Sequence, residues 1–236
     1  MSAQRPLRER LLANLLARAG KDYAPDAEIP PGLFASTVRT RVVWLLRGLV
    51  RLRQPVFVAP GVKLRGKRGI TIGRGATLER GASIDGYARE GVTIGERTRI
   101  GAHTIVSSTS HLSRYGSGFA IGRDSGVGEY GYVGAAGGVF IGNNVIMGQF
   151  VSFHSQEHDF SDLDRPIRQL GSPEDSIEVG DDCWVGARVT FLAGARVPEG
   201  CVVAAGAVVR GAFEPYSVIA GVPARVVRDR RETRVD

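Results

Sequence analysis

From about residue 57 onward an aliphatic residue recurs every six positions, usually followed by glycine or another small residue. This beat constrains the fold more than any other feature, because units this short bury a core only by stacking on one another. The clearest runs are IGNNVI-MGQFVS from Ile141 and VGDDCW-VGARVT-FLAGAR-VPEGCV-VAAGAV from Val179. Earlier turns of the pattern begin at Ile72, Leu78, Ile94, Ile100, Ile121 and Val127. Some are stretched, as at Ile84 to Thr93 and Val133 to Phe140.

Within each unit the fifth residue is small or β-branched: Val145, Val151, Cys183, Val189, Cys201, Ala207. It stands two positions before the next aliphatic residue. Triplets such as Val145-Ile146-Met147 and Cys183-Trp184-Val185 therefore read in, out, in, the period of a short strand. The intervening Gly, Asn and Asp suit a turn that reaches positive φ at little cost. A two- or three-residue strand and a turn every six residues cannot form hairpins. Such units form a solenoid whose strands stack in parallel on the next coil, about 4.8 Å away. Three of them close a triangular prism with 18 residues per coil. Cys183 and Cys201 stand one such coil apart. They are read as small core fillers stacked on one face rather than as a disulfide.

Composition narrows the function classes. The chain has 236 residues, 43% of them hydrophobic, which is enough for a packed core and excludes a disordered chain. Two cysteines exclude a disulfide scaffold and a cysteine-rich zinc module. No apolar run approaches the roughly 18–20 residues a membrane-spanning helix needs. The net charge of +7 is uneven. Residues 1–54 carry +6, residues 55–223 carry −1 and residues 224–236 carry +2. A near-neutral body with basic ends argues against nucleic-acid binding by the main domain. The basic N-terminus leaves contact with an anionic membrane surface or substrate open.

Three regions follow: a basic helical segment over 1–54, the repeat domain over 55–223 and a basic C-terminal tail over 224–236. Two interruptions break the beat, at 107–119 and at 159–176. Loops inserted in a solenoid leave the core and commonly build the site. In the N-terminal segment Leu7, Leu11, Leu12, Leu15 and Leu16 have helical spacing, Pro25, Pro30 and Pro31 break the chain, and a second amphipathic helix is expected over Thr37 to Leu52. These helices are expected to cap the open end of the solenoid or to pack on a neighbouring subunit. The alternative is a basic amphipathic helix, residues 37–53, lying on the inner membrane face. The first 20 residues faintly resemble a signal peptide, but the apolar part is short and holds Asn14. A cytoplasmic protein is expected.

Of four histidines, His158 stands five residues after Phe153, the start of a unit, where the beat gives way to the loop DFSDLDRPIRQLG. That places an imidazole at the lip of a coil beside Glu157, Asp159, Asp162 and Asp164. Histidine titrates near 6.5 as a residue type and so can accept a proton near neutral pH, with a neighbouring carboxylate or carbonyl fixing its tautomer. His154 is read as an acceptor-binding candidate, and His111, five residues after Val106, as a decayed or second site.

The hexads, the segment FHSQEHDFSDLDRPI, the block IEVGDDCWVGARVTFLAGARVPEGCVVAAGAVV and the ending YSVIAGVPARVV resemble the hexapeptide-repeat acyltransferases, in particular bacterial sugar and exopolysaccharide O-acetyltransferases. The resemblance covers roughly residues 57–228. It implies an all-β fold, a left-handed parallel β-helix, although right-handed crossovers are the physical default. It implies a homotrimer with active sites between subunits, acetyl-CoA as acyl donor and no metal. His158 corresponds to the family's general base, which takes the proton of an acceptor hydroxyl as that oxygen attacks the thioester directly. A backbone N–H would hold the oxyanion. Trp184 corresponds to a family residue near the acceptor or the pantetheine arm, while His154 and Asp159 are substrate-binding candidates read from their place beside His158. Ala187, Ala205, Arg210, Gly211, Arg225 and Arg228 are the implied contacts of coenzyme A, the arginines facing its phosphates.

The chain departs from that pattern in three places. Arg210 and Gly211 replace a Thr-Lys-like pair. A helper Asn of the galactoside enzymes falls near Gly128, which leaves Glu129 or Tyr130 as substitutes. The N-terminal helical domain of the maltose and galactoside enzymes is not recognisable in residues 1–54, which favours a glycan or lipid-linked acceptor over a free sugar. Two other readings stay open. One is a zinc carbonic anhydrase of the β-helix fold, using His103, His154 and His158. The other is a non-catalytic scaffold subunit.

Overall fold

The computed structural model describes residue 26 and residues 28–232 apart from residue 110. Successive strands fall in three sheets in rotation. The strand β1 (Phe57–Val58) lies in sheet 1, β2 (Lys63–Arg65) in sheet 2 and β3 (Ile70–Ile72) in sheet 3. With β4 (Thr77–Leu78) the chain returns to sheet 1 beside β1. Among the described residues the sheets hold nine, seven and six strands, and every pairing between strands is parallel except the last. The result is the three-sided parallel coil that the six-residue beat demands. The 18-residue coil occurs where Trp184 pairs with Val202. One coil earlier Trp184 pairs with Ile146, because the insertion after β14 (Ser152–His154) lies between them.

The period-2 reading holds at side-chain level. Val145 and Met147 are buried while Ile146 between them is 67% exposed; Cys183 and Val185 flank a Trp184 that is 59% exposed. All six fifth-position residues named above are buried. The core is a stack of such columns, with Phe153 and Phe191 in face-to-face contact at 4.7 Å between coils. Aliphatic and aromatic burial of this kind is the main favourable term in folding. Cys183 and Cys201 are both buried and unpaired, and their sulfurs donate to the carbonyls of Pro198 and Glu214. Hydrogen bonding with the Cys201 sulfur, and then burial, push the Cys183 thiol up.

The expected positive φ at intervening Gly, Asn and Asp is found at Asn144, Asp182, Gly194, Gly200 and Gly206, but the repeat also uses glycine in a second way. The glycine after the aliphatic residue does not supply the positive φ. At Gly148 a Cβ would lie 2.6 Å from the backbone nitrogen of Ala187 in the next coil, and at Gly186 2.5 Å from that of Ala205. Close approach of coils is what excludes a side chain there. Positive φ falls two residues later, at Asn144, Asp182 and Gly206, but also at His103, Tyr130, Phe150 and Arg188. These last four form one column at the corner joining sheets 1 and 2. His103 stacks on Tyr130 and Tyr130 on Phe150, each at 5.2 Å, and the Arg188 guanidinium lies 5.6 Å from the Phe150 ring. Stacking offsets part of the cost of a left-handed backbone at bulky residues.

The helix α1 (Pro31–Leu52) starts six residues before the expected Thr37, because Pro31 sits in its first turn, where its missing N–H costs nothing. Arg53 closes it in the left-handed conformation, its N–H donating to the carbonyl of Leu49. Trp44 and Leu52 pack on the core, and Gly48 is so close to Val56 that a Cβ would overlap its carbonyl. The guanidinium of Arg41 sits 4.0 Å from the centre of the Phe57 ring and donates to Thr77. The helix thus covers the first coil. The expected helix around Leu7–Leu16 lies outside the described residues. At the other end, residues expected as a tail form a strand: β22 (Ala224–Asp229) pairs antiparallel with β21 (Ser217–Gly221) and extends sheet 1.

Candidate active site

Sheet 2 ends, coil after coil, in a turn towards sheet 3, and both long insertions leave the prism at this edge. The first, 108–118, follows β8 (Ile105–Ser107); the second, 155–176, follows β14. The second folds back on itself. Glu157 N–H donates to the carbonyl of Pro173 and Asp159 N–H to that of Gly171, both at 3.1 Å. Its two arms therefore lie side by side, with His158 on one and Ser172 on the other. The Ser172 Oγ stands 3.2 Å from His158 Nδ1, and the ring is exposed. From the first insertion, the guanidinium of Arg114 donates to the carbonyl of Ser172. The two insertions are thus joined at the residue that holds the imidazole.

Charges surround this joint. Glu157 accepts from Arg210 of the next coils, and that contact raises the arginine's pKa further. Glu174 Oε1 is buried without a hydrogen-bond partner, 4.0 Å from Arg114. A groove of about 370 Å³ runs past Glu157, Glu174, Ala193, Arg210 and Gly211. A larger hollow, about 520 Å³, lies on the outer face of sheet 3 around Phe140, Glu178 and Arg196, away from His158. The chemistry-bearing side chains favour the smaller one. Asp159 is turned back on its own loop: it accepts from the Ser161 N–H at 2.9 Å, which holds its carboxyl below the usual range. Asp162 is taken up by Arg165.

The expected partner of the imidazole was a carboxylate or a carbonyl; the structure places a hydroxyl there. Sequence reasoning missed Ser172 because nothing in LGSPEDS says that it faces a residue fourteen positions earlier. Only the pairing of the loop's arms brings it there. His154, the last residue of β14, points outward and is exposed, its ring 5.5 Å from that of Tyr132. His111 lies in the first insertion, its Nδ1 2.7 Å from the Ser113 hydroxyl, and is exposed.

The remaining candidates divide between edges. Arg210 and Gly211 share the edge of His158, with Arg210 engaged by Glu157. Ala187 and Ala205 sit in the turns of the opposite edge of sheet 2, where it meets sheet 1. Trp184, in β16 (Trp184–Val185), faces outward on sheet 1 between Ile146 and Val202. Arg225 and Arg228 are exposed on β22. Glu129 and Tyr130, the candidate helpers, also stand at the sheet 1–2 edge. Glu129 is bound to Arg99, which holds its carboxyl below the usual range, and Tyr130 belongs to the aromatic column. His103 belongs to that column as well. Within one protomer, then, His103, His154 and His158 do not converge, and among the described residues no group of three His, Cys, Asp or Glu side chains is placed to hold a metal.

Residues 176–211 match the family model described as bacterial transferase hexapeptide (six repeats). Over 118 residues, half of this chain and 37% of the relative, the sequence is 33% identical to a probable acetyltransferase of Mycobacterium tuberculosis. Over 92 residues, 39% of this chain and 44% of the relative, it is 30% identical to the galactoside O-acetyltransferase of Escherichia coli. The chain thus spans less than half the length of either. An N-acyltransferase of Bacillus cereus, solved as a variant with dTDP-4-amino-4,6-dideoxyglucose and coenzyme A, superposes with a TM-score of 0.53 over 79% of this chain and 90% of that one. At 16% identity that likeness shows the fold alone. Residues 176–211 thus carry the hexapeptide repeat, and over part of its length the chain is similar to acetyltransferases.

Proposed function

We propose that this protein is a left-handed β-helix acyltransferase that moves an acetyl group from acetyl-CoA to a sugar hydroxyl of a glycan or glycolipid precursor, with His158 as general base. The observation that carries the reading is the exposed imidazole of His158, held through Nδ1 by Ser172 in an insertion braced by Arg114. With Nδ1 engaged, Nε2 is left to take a proton. The acceptor oxygen attacks the thioester carbonyl as its proton passes to Nε2; the tetrahedral oxyanion then collapses, the C–S bond breaks, and the proton goes from the imidazolium to the departing thiolate. No acyl-enzyme is formed. The match to the galactoside enzyme supports an O-acetyl product.

The division of candidates between two edges supports a homotrimer. A coenzyme A path along Ala187 and Ala205 reaches His158 only if the sheet 1–2 edge of one protomer faces the sheet 2–3 edge of its neighbour. Such heterologous contacts close into a ring. In that arrangement Trp184 lines the shared groove, and Arg225 and Arg228 meet the phosphates of the donor as charge-assisted donors. His154 and Asp159 stand on the acceptor side. The test is release of coenzyme A thiol from acetyl-CoA with a panel of glycan acceptors, with the product identified by mass. Transfer that disappears in His158→Ala while the assembly keeps its size supports the reading; undiminished transfer removes His158 as the base.

A further inference from the structure

The end of the prism under helix α1 has no role in the chemistry above. Its composition is nonetheless extreme. Between Glu28 and Glu79 the chain carries ten arginines and lysines and no carboxylate. The structure gathers this stretch into one body, the helix and the first coil it covers. On the coil, Lys63, Arg65, Lys67, Arg68 and Arg74 are exposed. Arg65 pairs with Asp85 at 3.4 Å, yet its side chain remains 73% exposed.

The helix itself is apolar on two sides. The side bearing Trp44, Gly48 and Leu52 packs on the core. The other side, formed by Val38, Val42, Leu46, Leu49 and Val50, faces out, with Val50 82% exposed. These residues recur at helical spacing, so they form one continuous stripe. Arg39 and Arg53 lie beside it and are exposed. An apolar stripe set among the cations of a stretch that carries no carboxylate of its own matches a bilayer surface whose headgroups are anionic and whose acyl boundary accepts aliphatic side chains. Nucleic acid would answer the charge and leave the stripe wet; a second copy of this end would answer the stripe and bring ten cations against ten. The helix is not long and apolar enough to cross a membrane.

We infer that this end of the molecule docks on an anionic phospholipid surface, with the exposed stripe of α1 set into the headgroup region and the cations of the first coil against lipid phosphates. The inference does not depend on the acyl-transfer reading. It orients the prism with its N-terminal coil on the bilayer.

The test is co-sedimentation of the full chain with vesicles of phosphatidylcholine alone and of phosphatidylcholine with about one third phosphatidylserine. Binding is expected only to the anionic vesicles, falling at least tenfold between 0.1 and 0.5 M salt. Leu46→Asp with Leu49→Asp, both solvent-exposed, is expected to cut binding at least tenfold while the thermal transition and the molecule's size in solution stay as in the parent. Reversal of Arg51 and Arg53 to Glu is expected to do the same. Three results would overturn the inference: absence from the anionic vesicle pellet, binding unaffected by the double Asp variant, or a double Asp variant that changes oligomer size instead of lipid binding. Displacement from vesicles by equimolar duplex DNA would assign the surface to nucleic acid and overturn it likewise.

Discussion

The two long edges of sheet 2 are made from the same repeat and behave as opposites. Towards sheet 1 every turn is short. Glycines such as Gly148 and Gly186 let the coils touch, and His103, Tyr130, Phe150 and Arg188 stack along the corner. Towards sheet 3 the chain leaves twice, and the two excursions brace each other through Arg114 and Ser172. The first edge is fixed by backbone contact between coils, and its polar side chains are taken up by the stacked column and by the Glu129–Arg99 pair. At the second, the repeat gives up its regularity and an imidazole can be aimed. Regular and interrupted turns are separated along a single sheet, and the separation makes distinct predictions for each side.

The largest effect is expected on the short edge. Gly148→Val forces a Cβ to within 2.6 Å of the Ala187 nitrogen, and the backbone cannot yield without opening the next coil. A loss of more than about 4 kcal/mol, read by denaturant unfolding, is expected. A near-neutral result would mean the coils are looser than drawn. On the inserted edge the folding cost vanishes and the activity cost appears. His158→Ala should lower acetyl transfer about 10²–10⁴-fold with an unchanged melting temperature. Ser172→Ala should be milder, about tenfold in kcat with KM little moved, and Ser172→Thr should recover part of it. Equal loss in both variants would mean that Ser172 does more than hold the ring.

The smallest effect belongs to the sheet 3–1 corner, where Asp124 receives two hydrogen bonds of 2.6 Å from Arg97. The guanidinium holds the carboxyl below its ordinary range. A carboxylate with a depressed folded pKa stabilises above its unfolded value, near 3.9, and that contribution fades as pH falls through the folded value. The pair is about one third exposed, so screening keeps it small. Asp124→Asn should therefore cost less than about 1 kcal/mol at pH 7, and the gap to the parent should close below about pH 4. A gap that persists in acid would trace the effect to packing rather than charge.

How much of this could be read beforehand follows the same division. The coil was legible because inward and outward residues alternate strictly, as in Val145-Ile146-Met147. The insertions were legible as failures of the beat, and counting from Phe153 put His158 at a lip. Ser172 was not legible, since the contact depends on two arms of an irregular loop meeting. The positive φ of turn glycines such as Gly200 and Gly206 was legible, but the close approach that excludes a side chain at Gly148 and Gly186 was not, because a sequence records a missing side chain without showing its neighbour. Residues 224–229 read as a tail because ARVVRD lacks a buried face of its own; only pairing with β21 makes it a strand. The aromatic column was missed because its members recur at uneven intervals, one per coil of unequal length.

The central claim is that one protomer's inserted edge works against another's short edge. It is tested most directly by mixing two inactive variants: His158→Ala, which spoils the first edge, and Ala205→Trp, which obstructs the second at an exposed turn. In mixed assemblies formed at equal ratio, about a quarter of the interfaces would join two intact edges. Recovery of about a quarter of the parent's acetyl-transfer rate is predicted. A mixture no more active than its components would place the whole site within a single protomer and contradict the account.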